Sequence, residues 1–352
     1  MTRKLFAMVA TLALAASLAR AGDREVFREQ SDEILDARGV RALVVTNPRG
    51  LISVKRGSGT SVRLTALKVV TGGDEAHARQ LAALAQVRVG VEGGNLVVRV
   101  LYPQHRQIEI GFWDLLKGAD IPRVELRLAF ELPAHLALTL KSASGDLVTS
   151  GVSGAQALES ASGDIEVGEA GAGVRATSVS GDVSLTGIGT AQVSTVSGDI
   201  RIENATGPVA MTTTSGDVAV GKAGDSVTVT SVSGEIQVDG AKGGLKARTT
   251  SGDIEARASG KVAVETASGE ARVTLEAPLA GAVIGTVSGD IRLHLGGDLG
   301  CAFEARTASG AIDLLVPLDV RSISRQYVSG VVRGGRTPVA LHSSSGDIHV
   351  ED

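Results

Sequence analysis

Ten carboxylates recur in this sequence at almost constant spacing, each directly after a glycine: Gly145-Asp146, Gly163-Asp164, Gly181-Asp182, Gly198-Asp199, Gly216-Asp217, Gly234-Glu235, Gly252-Asp253, Gly269-Glu270, Gly289-Asp290 and Gly346-Asp347. A regular array of hard oxygen donors is the raw material of a calcium ladder. One carboxylate per repeat supplies too few ligands, however, and the Gly-Gly-x-Gly-x-Asp calcium nonapeptide is absent. The array reads instead as turn chemistry. Glycine adopts the positive φ that a sharp bend often needs, and Asp holds the turn by accepting hydrogen bonds from nearby amides. No metal and no other cofactor is expected.

The remaining reactive side chains form no constellation. The six histidines, His77, His105, His135, His294, His342 and His349, are scattered and lack the His-Glu-x-x-His spacing of a zinc site. Serines abound, yet no Gly-x-Ser-x-Gly nucleophile elbow with a convincing partner occurs. A carbohydrate-cleaving enzyme needs a localised cluster of acids, basic residues and sugar-stacking aromatics that breaks the repeat. None is visible, and aromatic residues make up 2% of the chain. No catalytic residue is predicted. The single cysteine, Cys301, has no partner for an intrachain disulfide. Beside Ala302 and Phe303 it reads as a small packed residue.

What must position these turns is a stack of strands. Gly310 and Gly330 extend the glycine series, and the intervals from Gly145 to Gly346 run 18, 18, 17, 18, 18, 18, 17, 20, 21, 20 and 16. The second and fourth residues after the glycine are apolar in copy after copy, as in Ile165 and Val167, Val183 and Leu185, Ile200 and Ile202. Polar residues such as Glu166, Ser184 and Arg201 sit between them. Period-two alternation marks a strand with one buried and one wet face. A second strand precedes the glycine, with Val193, Val229, Val264 and Ile284 five positions upstream. Serine stands immediately before every one of these glycines, and Ser or Thr, as in Ser178, Thr195 and Thr213, stands three before most of them. Their hydroxyls are placed to donate and accept from coil to coil. Neither strand buries its apolar face alone, so coils of about 18 residues must stack, each strand parallel to its equivalent in the next. Ala311 and Val331 lack the turn acid, so those coils are expected to be distorted.

Residues 22–125 read as an N-terminal capping region and residues 126–352 as the β-solenoid. Arg41 to Val45, the turn Asn47-Pro48-Arg49-Gly50 and Leu51 to Val54 form an initial coil. Residues 74–86 read as an amphipathic helix capped by Asp74, with Leu81, Ala82, Leu84 and Ala85 on its apolar stripe. Its expected role is to cover the open end of the first coil. Strands follow at 96–101 and 124–130, and Phe112 and Trp113 between them read as a packing plug. Asp347 to Glu351 is expected to leave a strand edge exposed, with Glu351 and Asp352 guarding it.

The first 21 residues read as an export signal: Arg3 and Lys4, the apolar run Leu5 to Leu18, and the small-x-small site Ala19-Arg20-Ala21. That run is short for a membrane span, so none is expected after cleavage. A formal charge of −4 without long blocks of one sign disfavours nucleic-acid binding.

Together the early strand-turn-strand, the short helix, Leu96-Val97-Val98-Arg99-Val100 and the Ser-Gly-Asp units resemble the bacterial putative-adhesin family, domain of unknown function 4097. The resemblance runs from about Val40 to Asp352. It implies a right-handed parallel β-helix. The expected role is a non-catalytic, exported structural or adhesin-like protein that contacts an envelope or surface partner. It would lie in the periplasm, at the outer surface or outside the cell. A carbohydrate-processing β-helix enzyme and an envelope scaffold that self-associates weakly through its strand edges are the alternatives.

Overall fold

The computed structural model describes residues 25–72, 75–103 and 123–352. The segment read as an export signal, Asp74, His105, Phe112 and Trp113 lie outside the described residues. Among the described residues the regular structure is all β apart from one helix. The chain divides into two compact units, one ending at Val167 and the other running from Gly168 to Asp352.

The first unit holds β1 (Glu25–Asp36), β2 (Ala42–Asn47), β3 (Ile52–Arg56), β4 (Ser61–Thr71), α1 (Glu75–Leu84), β5 (Gln86–Glu92) and β6 (Asn95–Leu101). After them come β7 (Arg123–Leu132), β8 (Ala137–Ser142), β9 (Leu147–Ser150), β10 (Gln156–Glu159) and β11 (Ile165–Gly168). The strands form two ladders. In one, β5 pairs antiparallel with β6, which runs parallel to β2, and β2 to β8 and β8 to β10 continue in parallel. In the other, β1, β4 and β7 are antiparallel, and β3 lies parallel between β7 and β9. The coil β2–β3 is therefore flanked on both sides and is not the end of the stack. The chain leaves it at Gly57, builds the outer layers and returns at Ala137. The boundary expected at residue 125 falls inside β7, which runs through it.

Helix α1 packs on β1, β4 and β7 and buries Ala78, Leu81 and Ala82. It thus covers the strands beyond the β2–β3 coil. The turn Asn47 to Gly50 closes differently from those that follow. Buried Asn47 donates from Nδ2 to the carbonyls of Leu126 (2.7 Å) and Gly50 (3.3 Å). The Tyr102 hydroxyl accepts from the Leu126 N–H at 3.0 Å and lies 2.9 Å from Asn47 Oδ1 and 2.5 Å from the Arg49 carbonyl. Burial pushes the Tyr102 phenol up to about 12.

The second unit continues with four-residue and six-residue strands: β12 (Val174–Thr177), β13 (Val183–Ile188), β14 (Ala191–Ser194), β15 (Ile200–Ala205), β16 (Val209–Thr212), β17 (Val218–Ala223), β18 (Val227–Thr230) and β19 (Ile236–Ala241). Then come the longer β20 (Leu245–Ser251), β21 (Ile254–Ser268) and β22 (Ala271–Ser288), the five-residue β23 (Ile291–Leu295) and β24 (Cys301–Ser309). It closes with β25 (Ile312–Leu314), β26 (Leu318–Ser324), β27 (Tyr327–Val332), β28 (Pro338–Ser345) and β29 (Ile348–Glu351).

Each strand pairs in parallel with its equivalent one coil on, so that Val183, Ile200, Val218, Ile236, Ile254, Ala271 and Ile291 form one inward row. The side chains of that row are all buried. Alternation of burial follows the sequence parity: in β16 Val209 and Met211 are buried while Ala210 and Thr212 are exposed. Small and β-branched residues fill the interior because the two ladders leave a thin layer between them.

Toward the last strands the stacking order departs from the chain order. Strand β28 lies parallel between β22 and β24, and β29 lies parallel between β23 and β25. The edge expected at residues 347–351 is thus interior, since Ile348 and Val350 are buried with partners on both sides. Its place at the rim is taken by β25 and by the antiparallel pair β27 and β26 laid against β24. Gly330, expected at a corner, lies within β27 opposite Phe303.

The Tyr102 hydroxyl tests the first corner. Tyr102→Phe is expected to cost about 1–3 kcal/mol in urea unfolding, the range for leaving buried polar groups unpaired. Because the folded phenol lies above the usual value of about 10, its contribution is present below pH 10 and is lost as the pH rises toward 12. The wild-type and Tyr102→Phe stabilities should therefore converge over that range; parallel pH profiles would contradict the role.

Candidate functional site

The repeated Gly-acid corner is the chemically most regular feature of the chain, and its geometry is set by the approach of one backbone to the next. A Cβ placed on Gly216 would lie 2.3 Å from the carbonyl oxygen of Gly198, and one on Gly234 would lie 2.2 Å from that of Gly216. The same contact recurs for Gly163 on Gly145, Gly198 on Gly181, Gly252 on Gly234, Gly269 on Gly252 and Gly289 on Gly269, at 2.0–2.2 Å. Such distances exclude any side chain. Most of these glycines owe their identity to this close approach and not to a left-handed φ: Gly145, Gly163, Gly198, Gly216 and Gly234 have no positive φ. The series follows the spatial order, since Gly346 stacks on Gly289 and Gly310 on Gly346.

The carboxylates serve the same stack. Asp146 Oδ1 accepts from the Asp164 N–H (3.1 Å), Asp182 from Asp199 (2.9 Å), Asp199 from Asp217 (2.9 Å) and Asp217 from Glu235 (2.9 Å). Asp253 accepts from Glu270 (2.8 Å), Asp290 from Asp347 (2.9 Å) and Asp347 from Ala311 (2.8 Å). Each Asp thus satisfies the turn amide one layer away, a charge-assisted bond. Ala311 needs no acid of its own to receive this bond, and Gly310 keeps the corner geometry. Where Glu replaces Asp the rung is missing among the described residues: neither Glu235 to the Asp253 N–H nor Glu270 to the Asp290 N–H forms it. The extra methylene carries the carboxylate past the amide, and Glu270 instead meets Arg272 and Arg292.

A largely buried row of hydroxyls lies three residues before the corner glycines, Gly330 excepted. Ser142, Ser160 and Ser178 accept from the N–H of Gly145, Gly163 and Gly181 at 2.7–2.9 Å. Thr195 bonds both the Gly198 carbonyl and the Thr213 hydroxyl. The coil-to-coil chain of hydroxyls expected from the sequence is thus reduced to this pair, with Ser231, Thr249 and Thr286 unpaired. Asn47 occupies the equivalent position before Gly50.

Stacking also assembles a cluster that the linear pattern hides. On the outer side of β19, β21, β22, β23 and β29 an open groove of about 330 Å³ is lined by Asp239, Glu255, Arg257, Arg272, Thr274, Arg292, His294 and Glu351. Arg257 pairs with Glu276 at 3.7 Å, and His294 Nδ1 lies 4.0 Å from Glu351 Oε1. Glu351 joins this lining because β29 is threaded beside β23, a neighbourhood that no local spacing announces. Among the described residues no group of three or more His, Cys, Asp or Glu side chains is arranged to hold a metal ion. Cys301 is buried at the start of β24, and burial pushes its thiol up to about 11.

The family model for Toastrack DUF4097 matches residues 52–258 and 188–351, two overlapping stretches that together run from residue 52 to 351. The chain belongs to the Toastrack DUF4097 family. No curated protein matches it. Among solved structures, a "putative adhesin" from Parabacteroides distasonis is 11% identical over 92% of this chain and 97% of its own, with a TM-score of 0.31. A "putative lipid binding protein" from the same organism is 14% identical over 73% of this chain and 93% of its own, with a TM-score of 0.40. A "putative cell adhesion protein" from Clostridium sporogenes is 10% identical over 92% and 99%, with a TM-score of 0.21. Among the described residues no helix of this Toastrack chain is long and apolar enough to cross a membrane.

Substitutions at one corner separate the two contacts. Gly216→Ala should cost about 1–3 kcal/mol or more by overpacking against backbone. Asp217→Ala should cost about 0.5–1.5 kcal/mol, whereas Asp217→Asn, which keeps an acceptor oxygen, should retain most of that. Glu235→Asp should add the missing rung and stabilise by a comparable amount. Equal losses for the Ala and Asn variants in denaturant titrations would refute the assigned bond.

Proposed function

We propose that the chain is an exported, non-catalytic envelope protein of adhesin type, a β-solenoid of about 18-residue coils whose outward side chains contact a partner or surface. In this reading residues 1–21 are the export signal, 22–125 the capping region and 126–352 the repeat. The observation that carries it is the use of the corner carboxylates. The acids that recur most regularly accept backbone amides of the neighbouring layer, and so hold the stack instead of converging on a substrate. The outward positions between the buried rows vary freely, as in Arg201, Gln237, Glu255, Arg272 and Arg292. That pattern suits a long contact surface on a rigid support.

The groove favours one other reading. It gathers Asp239, Glu255 and Glu351 with three arginines and His294, an acid–base mixture of the kind that a carbohydrate-processing enzyme needs, although no aromatic side chain lines it.

Fractionation of cells producing the full chain, followed by pull-down from intact cells, tests the first reading. The expected result is recovery beyond the inner membrane, with the first 21 residues removed and an envelope component retained. Recovery in the cytoplasm with an intact N-terminus would contradict it. A glycan screen with purified protein separates the second reading: no turnover is expected, and turnover abolished by Glu255→Gln would overturn the non-catalytic assignment.

A further inference from the structure

The threading of the last coil has a consequence for how two copies of this chain meet. Strands β28 and β29 fill a slot one layer wide, bounded by β22 and β23 on one side and by β24 and β25 on the other. All the recurring contacts are made on both sides. Leu341 lies between Ile284 and Ala305, Val350 between Leu293 and Leu314, and Asp347 both donates to Asp290 and accepts from Ala311. Val339, Leu341, Ile348 and Val350 are buried by the insertion. The slot reads the repeat grammar and nothing else, so the same coil from another copy satisfies it with identical contacts.

The connections to this coil are those of a hinge. The rim strands β24–β27 join the stack through residues 296–300 and residues 333–337, both glycine-rich. The second connection is a turn held against its preference. Arg333, a non-glycine residue, has φ of 47° and Gly334 has φ of 64°, a left-handed conformation that a side chain resists. Gly335 packs so closely on Gly300 that a Cβ would lie 1.9 Å from its carbonyl carbon. Pro338 follows directly and biases Thr337 toward extended backbone. The turn is latched by Arg333, which donates to the Leu299 carbonyl at 3.2 Å and pairs with Asp352 at 2.6 Å. Straightening 333–337 releases the left-handed residues. Short hinges under strain favour exchange of an identical element between protomers.

We propose that β28 and β29 exchange between two copies of the chain, each copy filling the other's slot, so that the partner recognised by this end of the molecule is a second copy. The inference stands on the threading and is independent of what the outer faces bind.

Gly334→Val supplies the test, because no atom lies within 4 Å of the added Cβ and only the φ is penalised. In the full chain, refolded at high concentration and sized by light scattering, this variant should raise the dimer-to-monomer ratio tenfold or more over the wild type. Gly39→Val, which imposes the same penalty at φ of 75° in open space in the other unit, should leave the ratio unchanged. A dimer formed by exchange must persist on dilution until the protein unfolds. Its identity is read by co-refolding two copies in a Cys301→Ser background, one carrying Arg306→Cys and the other His342→Cys. These exposed positions face each other across the β24–β28 ladder, so an interchain disulfide that forms in the isolated dimer, and not in mixed monomers of the two copies at the same concentration, marks the coil of one copy in the slot of the other. Monomer throughout for wild type and Gly334→Val, or a dimer without this cross-link, would overturn the proposal. Circular dichroism of each variant identifies a misfolded one, and the wild-type result then decides.

Discussion

Where this chain turns, the carbonyl oxygen of one corner glycine lies so close to the next glycine that no Cβ fits between them. That contact fixes the layer spacing at the corner, and the strands on either side inherit their register from it. Parallel pairing with coil-to-coil offsets of 17 or 18 residues through β13, β15, β17, β19 and β21 then aligns identical side-chain positions. Buried rows of Val, Ile, Leu and Ala follow as a consequence. A layer built this way is thin, which is why a protein of 352 residues manages with five Phe, two Tyr and one Trp. The constraint also explains the choice of Asp. Only its carboxylate, one methylene from the backbone, reaches the turn amide in the neighbouring layer.

Much of this is legible in the sequence because the period-two alternation and the Ser-Gly-Asp corner are local signals. The strands around each corner, the helix near residue 80 and the early strand-turn-strand follow from parity and capping rules. The physical reason for glycine is less legible. A turn suggests positive φ, and only the stacked backbones reveal that space, more than conformation, excludes a side chain. False corners are another limit. Ser329-Gly330-Val331 matches the motif yet lies inside a strand, and the signal that distinguishes it is Tyr327, standing where true corners carry a buried Ser or Thr. The same position identifies Asn47 as the hydroxyl substitute of the first corner.

The order of the layers is invisible to the sequence for a deeper reason. Every coil carries the same grammar, so each fits beside any other, and chain connectivity only suggests a neighbour. The insertion of β28 and β29 between earlier strands, and of the β2–β3 coil between later ones, is decided by the long excursions that connect them. That threading is what adds Glu351 to the groove lined by Arg257, Arg272, Arg292 and His294, which consecutive strands already bring together. In both units the outermost layers are made by these excursions and not by a standard coil.

If the polar groups of the repeat are committed to holding one layer on the next, native-state amide hydrogen exchange will report it residue by residue. The turn amides of Asp199, Asp217, Glu235, Glu270 and Asp347, each bonded to an Asp of the neighbouring layer, should be strongly protected. Those of Asp253 and Asp290, which follow a Glu and lack that bond, should exchange far faster although they occupy the same place in the coil. Uniform exchange across all seven amides would contradict the account.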